Sequence, residues 1–164
     1  MISLALTLLI SALPADLSTE VSAHDFTVVW FFSAECPVVR AHDARLIELS
    51  KQFPSVRFIA VDAQTTATPE RAKSAAEKRA YPFPIVVDEK GLWADALGVR
   101  FSATVVVIDR SGRTRYFGGV DDQRVDTTSA EPKPYLRSAL EKLLAGKDPE
   151  PATTRPLGCV LKRP

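Results

Sequence analysis

The sequence predicts an α/β domain, a central mixed sheet of about five strands with helices on both faces. Three observations lead there. From Asp25 onward, short runs rich in β-branched and aromatic residues alternate with longer stretches of helical spacing. Residues 26–32 (FTVVWFF) and 104–108 are almost continuously apolar, as strands covered on both faces are. The 164 residues carry 46% hydrophobic and 25% charged side chains, which suits one domain with a substantial core.

The elements follow in order. After the first strand, Val39, His42, Leu46, Leu49 and Phe53 recur at steps of three and four, one stripe on a helix over 37–53. Residues 56–61 give a second strand. Thr68, Pro69 and Glu70 supply an N-cap, a proline at the first helical position and an early acid, so a helix covers 69–81 and Pro82 and Pro84 end it. Residues 84–87 form a third strand, 92–97 a short helix stopped by Gly98, and 104–108 a fourth strand. The turn Asp109-Arg110-Ser111-Gly112 returns 113–117 as an antiparallel edge strand. Tyr135, Leu136, Ala139, Leu140, Leu143 and Leu144 mark a closing helix that ends at Gly146. Parallel strands joined by helices require right-handed crossovers, and the last two strands make a hairpin.

The ends differ from this middle. Residues 1–15 contain no charge, and the apolar stretch from Ile2 to Leu13 has the length of a signal h-region, short of the ~20 residues that span a bilayer. Residues 1–23 therefore read as a leader, 24–146 as the folded domain, and export to a periplasmic or extracellular space as its destination. The proline-rich stretch 147–164 reads as an extended tail that brings Cys159 back over the domain. The net charge of +1 lacks the cationic excess of a nucleic-acid binder. His24, Cys36, His42 and Cys159 show none of the paired spacings of a structural zinc site, so neither metal nor cofactor is expected. His42 lies within an apolar helical stripe and reads as a packing histidine, and Asp121 and Asp122 read as polar loop residues.

One cysteine stands out. Cys36 falls where the first strand passes to a helix, with Pro37 at the first helical position, so its thiol faces the unpaired amides of the first turn. A helix terminus stabilises an anion by about 0.3–1 kcal/mol, too little to ionise a thiol of pKa ~8.5 at neutral pH. A second source is needed, and Arg40, one turn along the same helix, can supply a cation, whereas Glu35 opposes ionisation. The alternative is a buried cysteine acting as a small hydrophobe.

The segment Phe31-Phe32-Ser33-Ala34-Glu35-Cys36-Pro37-Val38-Val39-Arg40 resembles the redoxins, the thioredoxin-like group that includes peroxiredoxins of the alkyl hydroperoxide reductase and thiol-specific antioxidant type. The likeness extends through Phe58 to Asp62, Pro82-Phe83-Pro84, Val105 to Asp109, Gly119-Val120-Asp121-Asp122 and Gly158-Cys159. The resemblance implies a thioredoxin-like fold and a Cys36 nucleophile for a peroxide or a disulfide. Ser33 matches the Thr or Ser that peroxiredoxins place three residues before the reactive cysteine. Three departures stand against it. Val39 holds the second position of the thioredoxin Cys-x-x-Cys, and Phe101-Ser102-Ala103-Thr104 replaces the segment that carries the cis-proline. The peroxiredoxin arginine has no clear match, Arg100 and Arg110 being the nearest.

With no local partner, Cys159, 123 positions away, becomes the candidate resolving cysteine, unless the two sulfurs never meet. It condenses with a Cys36 sulfenic acid to a disulfide that an external thiol reductant or a disulfide-bearing partner reopens. The rival is a permanent staple, which closing such a loop makes worth roughly 4–5 kcal/mol, in a non-catalytic binding module that keeps the fold.

Overall fold

The computed structural model describes residues 13–123 and 131–163. Strands β1 (Phe26–Phe32), β2 (Arg57–Asp62), β3 (Ile85–Val87), β4 (Val105–Asp109) and β5 (Thr114–Gly118) form one sheet in the order β3-β2-β1-β4-β5. β2 runs parallel to both β1 and β3, while β4 is antiparallel to β1 and to β5. The expected mixed α/β sheet and its terminal hairpin are therefore present. Asp109 builds that hairpin turn, its Oδ1 accepting the N–H groups of Ser111 and Arg113.

The apolar runs divide by period two. Val28, Trp30 and Phe32 of β1, with Val105 and Val107 of β4, face helix α2 (Pro37–Gln52) and helix α5 (Tyr135–Leu144), which bury Leu46, Leu49, Leu136 and Leu140. Helix α3 (Pro69–Lys78) adds Ala75 to this side. Val29, Phe31, Val106 and Ile108 face the other way, onto helix α1 (Ala15–Ser22) and helix α4 (Leu92–Ala96). The central strands carry no polar face because both faces are roofed.

Three boundaries differ from the sequence expectation. Helix α1 lies within the stretch assigned to a leader, yet Leu17 and Val21 are fully buried and Trp93 Nε1 donates to Asp16 Oδ2 at 3.0 Å. The second face of the sheet takes part of its cover from residues 15–22. The apolar stretch before Leu13 lies outside the described residues. Helix α3 stops at Lys78 rather than near Tyr81, since Ala80 takes a left-handed conformation (φ 52°) ahead of Pro82. Helix α2 closes at Gln52, with Phe53 as its C-cap.

The tail crosses the surface as an extended strap. Phe117 N–H donates to Ala152 O and Thr154 N–H to Phe117 O, covering the outer edge of β5. Farther on, Val160 bridges Phe101. Among the described residues no helix is long and apolar enough to cross a membrane.

Candidate active site: two thiols at the end of the central strand

β1 ends at Phe32, and residues 33–35 turn the chain into α2 with Cys36 as N-cap (φ −80°, ψ 118°) and Pro37 next. This is the strand-to-helix junction expected from the sequence, at the C-terminal edge of the parallel part of the sheet. Cys36 N–H donates to Ser33 O at 3.3 Å, and Arg40 N–H opens the helix onto Cys36 O at 3.2 Å. Arg79 holds the turn from α3: Nη2 donates to Ala34 O at 2.9 Å and Nη1 to Asp43 at 2.9 Å, and its guanidinium lies 4.9 Å over the Phe32 ring. Tyr81 Oη donates to the same Asp43 carboxylate.

The loop before β4 supplies the opposite wall. Ala103 adopts φ 57°, so that its N–H donates to Phe31 O at 2.7 Å while the preceding Ser102 turns inward and is wholly buried. Ser102 grips the tail. Its N–H donates to Cys159 O at 2.8 Å, and Cys159 N–H donates to Ser102 Oγ at 3.1 Å. Gly158 makes that approach feasible, because a Cβ there would stand 1.6 Å from Ser102 O. Leu161 N–H donates to Arg100 O, Thr65 N–H to Lys162 O and Lys162 N–H to Gln64 Oε1. The strap is therefore pinned on both sides of Cys159 by backbone hydrogen bonds.

Cys36 and Cys159, both free thiols, line the same cleft, close enough for each to shift the other's ionisation. Burial pushes the Cys36 thiol up, but the Cys159 thiol, the Ser102 hydroxyl, the Val39 amide and the Cys159 amide outweigh it and hold Cys36 below the ordinary range. The Val39 N–H aids the anion without closing a side-chain capping bond. Burial and the adjoining Cys36 sulfur push Cys159 up to about 11.

The sulfurs sit in a cleft of about 940 Å³ between the 33–36 turn, α3 and the tail, with Ser33, Arg40, Asp62 and Arg71 among its lining. Burial raises the Asp62 carboxyl, against the Gln64 amide and Arg71, with Glu35 adding to the rise.

All four residues singled out from the sequence line this cleft: Ser33, Cys36, Arg40 and Cys159. Arg40 is exposed, and the groups that lower the Cys36 pKa are two hydroxyl or thiol donors and amides rather than its guanidinium. Glu35 is turned outward toward Arg71 at 3.7 Å. Arg110 pairs with Asp25 at the far end of β1, and Arg100 is exposed outside the cleft lining. His42 is the packing residue expected, with Nδ1 donating to Val38 O at 2.7 Å and Nε2 3.2 Å from Asp121, which Arg45 also pairs. Asp121 lies in the loop after β5, as read from the sequence, and is buried in that network. The sequence reading missed Ser102, Gly158 and Arg79. A polar residue in Phe101-Ser102-Ala103-Thr104 and a glycine directly before the tail cysteine were the available signals. Among the described residues no group of three or more His, Cys, Asp or Glu side chains is placed to hold a metal ion.

A central strand that ends in an N-cap cysteine, flanked by a loop leading into an antiparallel hairpin, defines a thioredoxin-like fold. The redoxin family model matches residues 11–132, and the chain belongs to the redoxin family. It is similar to a hypothetical protein of Sinorhizobium meliloti 1021 (25% identity, TM-score 0.80, covering 89% of this chain and 84% of that one). An uncharacterized conserved protein of Geobacillus kaustophilus is alike at 27% identity and TM-score 0.80, over 88% of this chain and 80% of that one. A thioredoxin-like protein solved in its oxidized form shares the fold at 17% identity and TM-score 0.62, over 85% and 89% of the two chains. Comparison with curated proteins gives no match.

Proposed function

We propose that the protein is a thiol-dependent oxidoreductase that reduces a peroxide, with Cys36 as nucleophile and Cys159 as resolving thiol. The observation that carries this reading is the pair itself: a thiol whose anion is favoured, 2% exposed, with a second thiol in the same cleft and positioned independently of any bridge. So small an opening suits a small oxidant. The Cys36 thiolate attacks the terminal peroxide oxygen, the O–O bond breaks and the alkoxide or hydroxide leaves with a proton, giving Cys36 sulfenic acid. The Cys159 sulfur then attacks Cys36 Sγ, the S–O bond breaks, and hydroxide leaves as water with the Cys159 proton. Ser102 serves the thiolate as hydrogen-bond donor, and Ser33 stands on the cleft wall beside it. An external thiol returns the disulfide to two thiols.

Backbone bonds anchor the strap around Cys159, so a disulfide is not required to hold it there, which weighs against a permanent staple. A second reading, thiol–disulfide exchange with a larger disulfide, draws on the cleft volume, which exceeds what a peroxide needs. The apolar stretch from Ile2 to Leu13 supports export, where disulfide partners are common.

Peroxide consumption in the presence of a thiol donor tests the reading. Wild type is expected to turn over hydrogen peroxide, Cys36→Ser to be inactive, and Cys159→Ser to accumulate sulfenic acid on Cys36. Turnover of a protein disulfide but not of peroxide selects the second reading. A Cys36–Cys159 disulfide with a midpoint below about −300 mV and no turnover of either substrate identifies a staple.

A further inference from the structure

Access to the Cys36 sulfur is narrow, but the cleft leading to it is wide. With Cys36 only 2% exposed, its sulfur is open to a slim group such as the terminal oxygen of a hydroperoxide. The cleft holds about 940 Å³, far more than hydrogen peroxide fills, so the remainder of a larger substrate has room beside the reacting oxygen. Apart from the two thiols, the apolar lining is limited to Phe32, Ala34, Ala75 and Val160, too little to cover an alkyl tail.

The walls are instead charged, and the charges do not cancel. Asp43 is taken up by Arg79 at 2.9 Å, Glu35 faces Arg71 at 3.7 Å, and Asp62 is buried. Arg40 of α2, Lys78 of α3 and Lys162 of the strap also line the cleft; all three are exposed, and none enters an ion pair among the described residues. Two of them belong to the elements that carry the thiols, Arg40 four residues after Cys36 and Lys162 three residues after Cys159. The Lys162 backbone is fixed, its N–H donating to Gln64 Oε1 at 2.8 Å and its O accepting from Thr65 N–H at 2.7 Å, so the ammonium is carried from an anchored point. Glu70, an exposed acid of the lining, lies at the other end of α3, eight residues or about 12 Å of helix from Lys78.

We infer that the oxidant is a hydroperoxide bearing a carboxylate, a small polar organic acid, with its –O–OH end at Cys36 and its anion held by Arg40, Lys78 and Lys162. The inference rests on the reading above, in which Cys36 reduces a peroxide, and names the class of peroxide. The Cys36 thiolate takes the terminal oxygen, the O–O bond breaks, and the organic oxygen leaves and is protonated, so the product is the corresponding hydroxy acid. Clefts with an excess of one charge raise association of the opposite charge by about 10- to 10³-fold, and the acids left in this cleft put the effect at the lower end. Exposed cations lose that hold in salt, whose screening length falls from about 30 Å at 0.01 M to about 3 Å at 1 M.

β-Hydroperoxyisovaleric acid and its methyl ester, which carry the same tertiary hydroperoxide with and without the charge, test this. The second-order rate of Cys36 oxidation in the reduced wild-type protein is read as loss of free thiol. At about 0.01 M salt and neutral pH the acid is expected to react about tenfold faster than the ester. The ratio is expected to fall towards one at about 1 M salt, and also in the double variant Lys78→Gln with Lys162→Gln at low salt. Equal rates, a faster ester, or a ratio that either the salt or the double variant leaves unmoved overturns the inference and leaves the peroxide reading standing. Failure of Cys36 to react with either compound or with hydrogen peroxide overturns both.

Discussion

Ser102 and Cys159 hydrogen-bond to each other in both directions, Ser102 N–H to Cys159 O at 2.8 Å and Cys159 N–H to Ser102 Oγ at 3.1 Å. Through this pairing the loop before β4 fixes Cys159 in the cleft beside Cys36, and the same hydroxyl helps hold Cys36 below the usual thiol range. Ser102→Ala removes the hydroxyl, both as donor and as acceptor of the Cys159 N–H, and leaves the bond from Ser102 N–H to Cys159 O. The Cys36 alkylation midpoint should rise by about one pH unit, since a hydrogen bond to a charged group is worth about 1.5–3 kcal/mol. An unmoved midpoint would show that the hydroxyl does not serve the thiolate.

Cys159 acts on Cys36 as a donor, so its replacement separates hydrogen bonding from packing. Cys159→Ala raises the Cys36 midpoint, whereas Cys159→Ser, which retains an O–H, holds it near the wild-type value. Iodoacetamide kinetics across pH read both. Equal midpoints in the two variants count against Cys159 as a hydrogen-bond donor to Cys36.

Gly158→Ala places a methyl group where Ser102 O already lies, 1.6 Å from the new Cβ. The strap must shift, and a displacement of about 1 Å at a reacting atom costs up to about 10²-fold in rate. Disulfide closure after a peroxide pulse, followed by free-thiol count, should slow by about that factor while sulfenic acid formation at Cys36 continues. Closure at the wild-type rate would mean that the strap is not held through this contact.

Asp62 is buried at the end of β2 with its carboxyl pKa raised, first by burial. A folded-state pKa above the unfolded one means that the native state binds the proton more tightly. Its favourable contribution is present below the unfolded pKa of about 3.9 and is lost as pH rises through the folded value. Asp62→Asn keeps the acceptor for the Gln64 amide and removes the charge, so its Tm should exceed wild type at pH 8 and match it at pH 3. Thermal unfolding at the two pH values decides; a lower Tm at pH 8 counts against a charge cost at this position.

Removal of residues 1–23 deletes Leu17 and Val21, both buried between α4 and the sheet. At about 1.5–3 kcal/mol for each buried side chain, a protein starting at His24 should be about 3–6 kcal/mol less stable to urea than one starting at Leu13. Equal stability would place α1 outside the cooperative unit.

Much of this architecture is readable along the chain. Residues 26–32 and 105–108 are apolar at nearly every position, which only a strand roofed on both faces requires, and Thr68-Pro69-Glu70 starts α3 through its own backbone chemistry, Thr68 Oγ1 accepting from Arg71 N–H at 3.2 Å. Pro37 marks the start of α2, and with it the N-cap placement of Cys36. Helix α1 is not legible in the same way, because the apolar stretch before it has the composition of a leader, and composition does not show that residues 15–22 pack against Val29 and Phe31.

The sequence by itself determined the strand and helix order, the two-faced sheet and the N-cap thiol, since each depends on residues within a few positions of one another. Tertiary structure alone decided what surrounds the sulfur. Arg40, near in sequence, is exposed on the cleft wall, whereas Ser102 and Cys159, 66 and 123 positions from Cys36, supply its donors. The physical reason is that hydrogen bonding falls off within a few ångströms of space, and which distant residues come that close depends on how β4 and the tail close over the end of β1.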